Sequence, residues 1–167
     1  MAKPFLSLFI FSLVLAAAVL GIYLPGWNHG LVFDDLRLND DAIFGRYGSL
    51  LDFKQRMLSY GSFVWIDALT GSRWGLQRLL NIVLHLGAVA ALYALVRELL
   101  LHTRFPEEVE AHPHFGLSRL AAARVAVALF AVNPVAVYAV AYLVQRSIVM
   151  ATLFAALACW AFVRGVV

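Results

Sequence analysis

Charged side chains are scarce in this chain. Asp, Glu, Lys and Arg make up only 14% of its 167 residues, whereas 63% of the residues are hydrophobic. A soluble domain typically carries about 25% charged and about 45–50% apolar residues. Together with a mean hydropathy of +0.83, this composition excludes an ordinary soluble domain and is typical of a multi-span membrane protein.

Other features that are missing reduce the number of possible functions further. The only cysteine, Cys159, cannot form an internal disulfide and lies in an apolar run, where it suits a small packing role. The 13 basic residues include no polybasic block, which argues against nucleic acid as a partner. The chain also lacks a glycine-rich phosphate loop, a zinc-binding signature and an internal repeat.

Four hydrophobic segments predict an all-α, polytopic membrane bundle that forms a single domain. A membrane-spanning helix needs about 20 mainly apolar residues. The third segment is shorter, because Asn133-Pro134 removes a backbone donor and disfavours helix. The predicted spans are residues 5–24, 79–101, 119–132 and 147–166, with a long non-cytoplasmic loop over 25–77.

The orientation of these spans depends on the N-terminus. Its start resembles a secretory signal, but the apolar run is longer than the usual hydrophobic region of about 7–15 residues, which favours an uncleaved anchor. Basic residues are divided almost evenly between the two sides, so charge bias gives no preference.

Two further helices are expected at the membrane surface. One covers residues 135–145 and links the third span to the fourth. The other is a short amphipathic helix in the long loop, formed by Leu50, Leu51, Phe53, Met57 and Leu58.

The adjacent carboxylates Asp34 and Asp35 follow the first span and are the main candidates for chemistry. One could take a proton from an acceptor hydroxyl while the other orients that group or holds a divalent metal. The alternative is a solvated turn or the N-cap of a following helix. Asp40-Asp41 has no hydrophobic lead-in and fits a surface or capping role.

Arg78, Asn81 and His85 share one face of the second span. Charged groups within a bilayer usually face a bundle interior or a wet cavity, so Arg78 is a candidate phosphate contact. Alternatively, Arg78 reaches the interface, and Asn81 and His85 form hydrogen bonds between helices. A further alternative is that Arg78 and His85, placed within a span, belong to a small transporter or channel component.

Arg146 opens the fourth span, beside Tyr142 and Gln145. Its guanidinium could bind a phosphate through two parallel hydrogen bonds, with Tyr142 and Gln145 in support. The alternative is that all three belong to the interfacial belt and contact lipid headgroups.

Three motifs occur in an order that resembles the N-terminal part of bacterial GT-C-fold membrane glycosyltransferases. They are residues 30–35 (GLVFDD), 81–85 (NIVLH) and 133–147, which begin NPV and end QRS. The resemblance is to the protein O-mannosyltransferases and their transmembrane, tetratricopeptide-repeat-containing relatives, and it extends from residue 30 to about 162.

The resemblance implies a multi-pass protein of the bacterial inner membrane, in contact with membrane lipid. Such enzymes pass a sugar from a polyprenyl-phosphate donor to a protein or glycan acceptor on the outer face. Asp34 or Asp35 would be the general base, and Arg146, with Arg78, would lie near the donor phosphate. No cofactor is implied with certainty, and a divalent metal is left open.

The chain departs from the family pattern at three places. Asn133 replaces the usual histidine, Tyr138 an acidic or polar residue, and residues 62–65 (SFVW) a region that commonly holds Arg-Pro. Family members also have many more spans. The chain is therefore expected to be a fragment or a module that needs a larger membrane subunit, and the alternative is a non-catalytic accessory protein.

Overall fold

The computed structural model describes residues 2–39, 41–47, 53–71 and 73–166. Asp40, Leu50 and Leu51, which the sequence singled out, lie outside the described residues. Within these ranges the fold is all-helical and contains no strand, which confirms the all-α part of the predicted fold class. Its α-helices are α1 (Ala2–Tyr23), α2 (Asp41–Phe44), α3 (Met57–Thr70), α4 (Trp74–His102), α5 (Glu107–Glu110), α6 (Phe115–Ala131), α7 (Ala136–Ala141) and α8 (Arg146–Val166).

Three segments of the described chain are long and apolar enough to cross a membrane. They are Phe5–Gly26, Trp74–His102 and Leu143–Val166. The predicted span over 119–132 overlaps α6 and ends one residue beyond it; α6 has 17 residues and is not one of the three. The count of four spans therefore stays a prediction.

The central helix of the bundle is α4, which packs against α1, α6, α7 and α8. The main core lies between these helices and is built from small and branched side chains, which allow close packing: Leu15, Val19, Ile82, Val89, Val127, Ala131, Val140 and Val149. The outer face of α1 is apolar and open, as Phe5 at 76% exposure shows. Such a surface suits contact with hydrocarbon.

The long loop contains the helix α3 (Met57–Thr70), which begins with Met57 and Leu58 of the predicted amphipathic helix and extends well beyond them. Its buried face is made of Ser59, Gly61, Ser62 and Phe63. Glycine and serine are poor helix formers, so α3 depends on packing against the bundle rather than on local propensity. Phe53 lies outside any helix and is 89% exposed, so it takes no part in an amphipathic helix.

The surface helix predicted over 135–145 is interrupted at Tyr142. It consists of α7 and a short 3₁₀ helix, Leu143–Gln145, and the backbone of Tyr142 between them is extended, with φ −78° and ψ 119°. The side chain of Asn133 prepares the start of α7 by accepting a hydrogen bond from the Val135 N–H at 2.9 Å. The interruption leaves two backbone N–H groups without helical partners, and these become part of the site.

Candidate functional site

The three polar motifs, far apart in sequence, meet at one end of the bundle. The first lies on the 3₁₀ helix Phe33–Leu38, the second on the first turns of α4, and the third at the start of α8. Hydrogen bonds join Asp35 to the chain just before Arg146, and Arg146 to Asn81. The structure thus brings together residues that the sequence could only propose one by one.

Asp35 is buried, with 1% of its surface exposed. Its Oδ2 accepts a hydrogen bond from the Leu143 N–H at 3.1 Å, and its Oδ1 accepts one from the Val144 N–H at 2.9 Å. These are the N–H groups freed by the interruption at Tyr142. Asp35 therefore anchors the first loop to the N-terminal end of the last helix, where a negative charge is favourable.

The surroundings of Asp35 shift the pKa of its carboxyl group in opposite directions. Burial raises the pKa of Asp35 above its ordinary value of 3.8, and the neighbouring Asp34 adds to that rise. The N–H groups of Val144 and Leu143 and the charge of Arg78 lower the pKa. The ionised form of this carboxylate consequently depends on those three partners.

Asp34 has the opposite environment, because it is exposed. The preceding residue, Phe33, has a φ of 51°, in the left-handed region that bulky side chains rarely adopt. The adjacent carboxylates are therefore separated, one in solvent and one in the interior. Across the described ranges, no cluster of three or more His, Cys, Asp or Glu residues could hold a metal ion.

Arg146 is the centre of a buried polar network and has no exposed surface. Its side chain lies over the ring of Phe63, 3.8 Å from the ring centroid. Nε donates to Asn81 Oδ1 at 2.7 Å, and Nη1 to Ser62 Oγ at 2.7 Å. Nη2 donates to Gln77 twice, to the carbonyl at 2.9 Å and to Oε1 at 2.8 Å. The guanidinium thus joins α3, α4 and α8, and a bound phosphate would have to replace some of these partners.

Asn81 and His85 both form hydrogen bonds between helices. The Asn81 Nδ2 donates to the Val140 carbonyl at 3.2 Å, while its Oδ1 serves Arg146. The His85 Nε2 is 3.0 Å from the carbonyl of Ala131, which can only accept, so Nε2 carries the hydrogen. These contacts match the interhelical role that the sequence left open for both residues.

Arg78 lines a cavity of about 470 Å³, together with Asp35 and Tyr142. Its Nη1 donates to the Trp27 carbonyl at 3.1 Å and its Nη2 to the Gly30 carbonyl at 3.0 Å. Ligand pockets commonly measure about 300–1,000 Å³ and place a few polar groups in an apolar wall. A cation and a carboxylate beside such a cavity give it polar groups of both signs, which suits a polar ligand.

Tyr142 and Gln145 are less directly involved. Tyr142 is half-buried, and its ring lies 6.2 Å from the ring of Phe33. The Gln145 Nε2 donates to the hydroxyl of Tyr138 at 2.9 Å rather than to the Arg146 network. Tyr142 therefore forms part of the cavity wall, while Gln145 supports the neighbouring surface.

The ring of Trp27, whose carbonyl accepts a hydrogen bond from Arg78, lies very close to Gly75. A Cβ atom at Gly75 would lie 2.6 Å from a ring carbon of Trp27. We expect Gly75→Ala to displace this ring and to lower the free energy of unfolding by about 1–3 kcal/mol, the usual cost of overpacking. Gly21→Ala is the control, because nothing lies within 4 Å of its added Cβ. Thermal unfolding in detergent that showed equal stability for the two variants would contradict this prediction.

Sequence reasoning missed Ser62 and Gln77 as partners of Arg146. The missed signal is that Gln77, Asn81 and His85 are spaced by four residues, which places them on one helical face. That face becomes visible only when α4 begins at Trp74 rather than at residue 79. Ser62 gave no signal, because its helix depends on tertiary packing.

Comparison with known proteins assigns no family. No protein-family model matches the chain, and no curated protein or solved structure matches it. A function must therefore be argued from the residues at this end of the bundle.

Proposed function

We propose that this chain is a GT-C-like glycosyltransferase module of the bacterial inner membrane. It transfers a sugar from a polyprenyl-phosphate donor to a protein or glycan acceptor on the outer face. The observation that carries the proposal is the pairing of an exposed carboxylate, Asp34, with the cavity beside it. Val32 and Asp35, on either side of Asp34 in the chain, both line that cavity, as does Arg78.

Asp34 is the better general base of the two carboxylates. Both oxygens of Asp35 already accept backbone hydrogen bonds, whereas Asp34 is open to an incoming hydroxyl. The hydroxyl oxygen attacks the anomeric carbon, and its proton goes to Asp34. The bond between that carbon and the phosphate oxygen breaks, and polyprenyl phosphate leaves with the electron pair.

Arg78 is the better candidate of the two arginines for the donor phosphate. Two of its five N–H groups bind carbonyls, and the side chain lines the cavity. Arg146 has no exposed surface and makes four hydrogen bonds to protein groups, so it acts as a positioning residue for α4.

The test is transfer from a polyprenyl-phosphate hexose in membrane vesicles that contain the protein. Asp34→Asn is expected to lower transfer about 10²–10⁴-fold, the usual contribution of a general base, with unchanged protein levels. Asp67→Asn is the matched control, since Asp67 lies on α3, where neither it nor its chain neighbours line the cavity, whereas Asp34 lies between two lining residues, Val32 and Asp35. Unchanged transfer by Asp34→Asn would remove the catalytic role.

A second candidate is a non-catalytic subunit that binds a larger membrane protein. Only 11% of the apolar window in each of the segments Phe5–Gly26 and Leu143–Val166 is buried. Much helical surface is therefore open to partner helices as well as to lipid. Co-purification of a larger glycosyltransferase, together with transfer that is insensitive to Asp34→Asn, would favour this candidate.

A further inference from the structure

A second site lies between α1 and α6, away from the Arg78 cavity. A groove of about 620 Å³ runs between these helices, and its walls include Leu117, Leu120 and Val125. Arg124 enters this apolar groove from α6, and its Nη1 donates to the Ser7 Oγ at 2.9 Å.

In the part of the chain that the structure describes, no ion pair balances the charge of Arg124. Among the described residues its Nε also has no hydrogen-bond partner, although it is buried. Its other contact is the ring of Phe11, whose centroid lies 5.6 Å away. A cation beside apolar surface is costly unless a negative group balances it, so the groove would be stabilised by a bound anion.

We propose that this groove binds an anionic phospholipid. The phosphate oxygens accept hydrogen bonds from the free N–H groups of Arg124, and the hydroxyl of Ser7, whose oxygen accepts from Arg124, donates its hydrogen to the same phosphate. An acyl chain covers the apolar walls.

The position of the groove, near one end of a membrane-spanning segment, favours a lipid headgroup over the side chain of another protein. Ser7 lies near the start of the segment Phe5–Gly26, which is long enough to cross a membrane, so Arg124 reaches toward the membrane surface where phosphates are found. Tyr23, which lines the Arg78 cavity, is near the other end of α1, about 24 Å away at 1.5 Å per residue. The lipid site is therefore independent of the proposed transferase site.

The experiment measures which lipid stays bound to the purified full-length protein. The protein is equilibrated in detergent with equal amounts of phosphatidylglycerol and phosphatidylcholine, and bound lipid is identified by native mass spectrometry. We expect a preference for phosphatidylglycerol of about fivefold, as for one arginine near an anionic lipid. Arg124→Gln should abolish the preference, and Arg124→Lys should keep much of it because the charge remains.

Two further variants distinguish a specific lipid-binding site from nonspecific electrostatic attraction of anionic lipid. Arg164→Gln removes an exposed charge on α8 and should leave the preference unchanged. Ala121→Phe fills the groove, which Ala121 lines, while retaining Arg124, and should reduce lipid retention. An equal preference in the wild type and Arg124→Gln, or an equal loss in Arg164→Gln, would overturn the proposal. A wild type that shows no lipid preference and instead retains a protein with an acidic membrane helix would also overturn it.

Discussion

Replacing Arg146 by methionine is expected to lower the free energy of unfolding by more than about 3 kcal/mol. Methionine fills a similar volume, so little of the loss comes from a cavity. The loss arises because acceptors on Ser62, Gln77 and Asn81 remain buried without their donor, at about 1–3 kcal/mol for each group. Removing the charge avoids its desolvation cost, but that gain offsets the loss only when the polar partners are replaced as well.

Arg146→Lys should also be strongly destabilising. This variant keeps the positive charge, so a loss of stability would show that the network needs the geometry of the guanidinium and not only its charge. Lysine presents three donors at a single point, whereas the guanidinium serves acceptors on two helices from one plane and also stacks on Phe63. Unfolding in detergent micelles, followed by circular dichroism, measures both variants. Arg164→Met is the control, because Arg164 is exposed, and it should change stability by less than about 0.5 kcal/mol. A fully stable Arg146→Met would refute the proposed network.

Asp35→Asn is expected to lower the free energy of unfolding by about 2 kcal/mol. A carboxylate offers an acceptor oxygen to each of the Leu143 and Val144 N–H groups. An amide has only one acceptor oxygen, so one of these N–H groups must face an NH₂ group. The loss is smaller than that of two charge-assisted hydrogen bonds, because the neutral amide avoids the burial cost that raises the pKa of Asp35.

Hydrogen exchange gives this prediction a local readout. The amides of Leu143 and Val144 should exchange faster in Asp35→Asn, since their acceptor is lost, while exchange within the centre of α4 follows global stability only. Asp34→Asn is the matched control and should alter stability by less than about 0.5 kcal/mol, because Asp34 is exposed. Equal effects of the two substitutions would mean that the two carboxylates are not distinguished by burial.

Much of the helical pattern could be predicted from hydrophobic runs, because long apolar segments carry a strong signal. The start of α4 could not, since Gln77, in its first turn, looks like a loop residue when taken alone. Most of helix α3 was also missed, because Ser59, Gly61 and Ser62 have low helix propensity and are helical here through packing against other helices.

The candidate site, too, could be predicted only in part from the sequence. The residue types at Asp34, Asp35 and Arg146 marked them as candidates, but only the structure shows that Asp35 and Arg146 are buried and Asp34 is exposed. Sequence cannot show which of two adjacent aspartates turns inward. That choice depends on the interruption at Tyr142, which presents backbone donors to Asp35 and not to Asp34.

The burial of Arg146 has a consequence for biosynthesis. Every side chain that solvates this guanidinium, on Ser62, Gln77 and Asn81, precedes it in the chain. The ribosome therefore completes α3 and α4 before the charge at the head of α8 emerges, and the last helix can meet its polar partners as it enters the membrane. A rearranged chain that began with α8 would have to insert the same arginine before any of those partners existed.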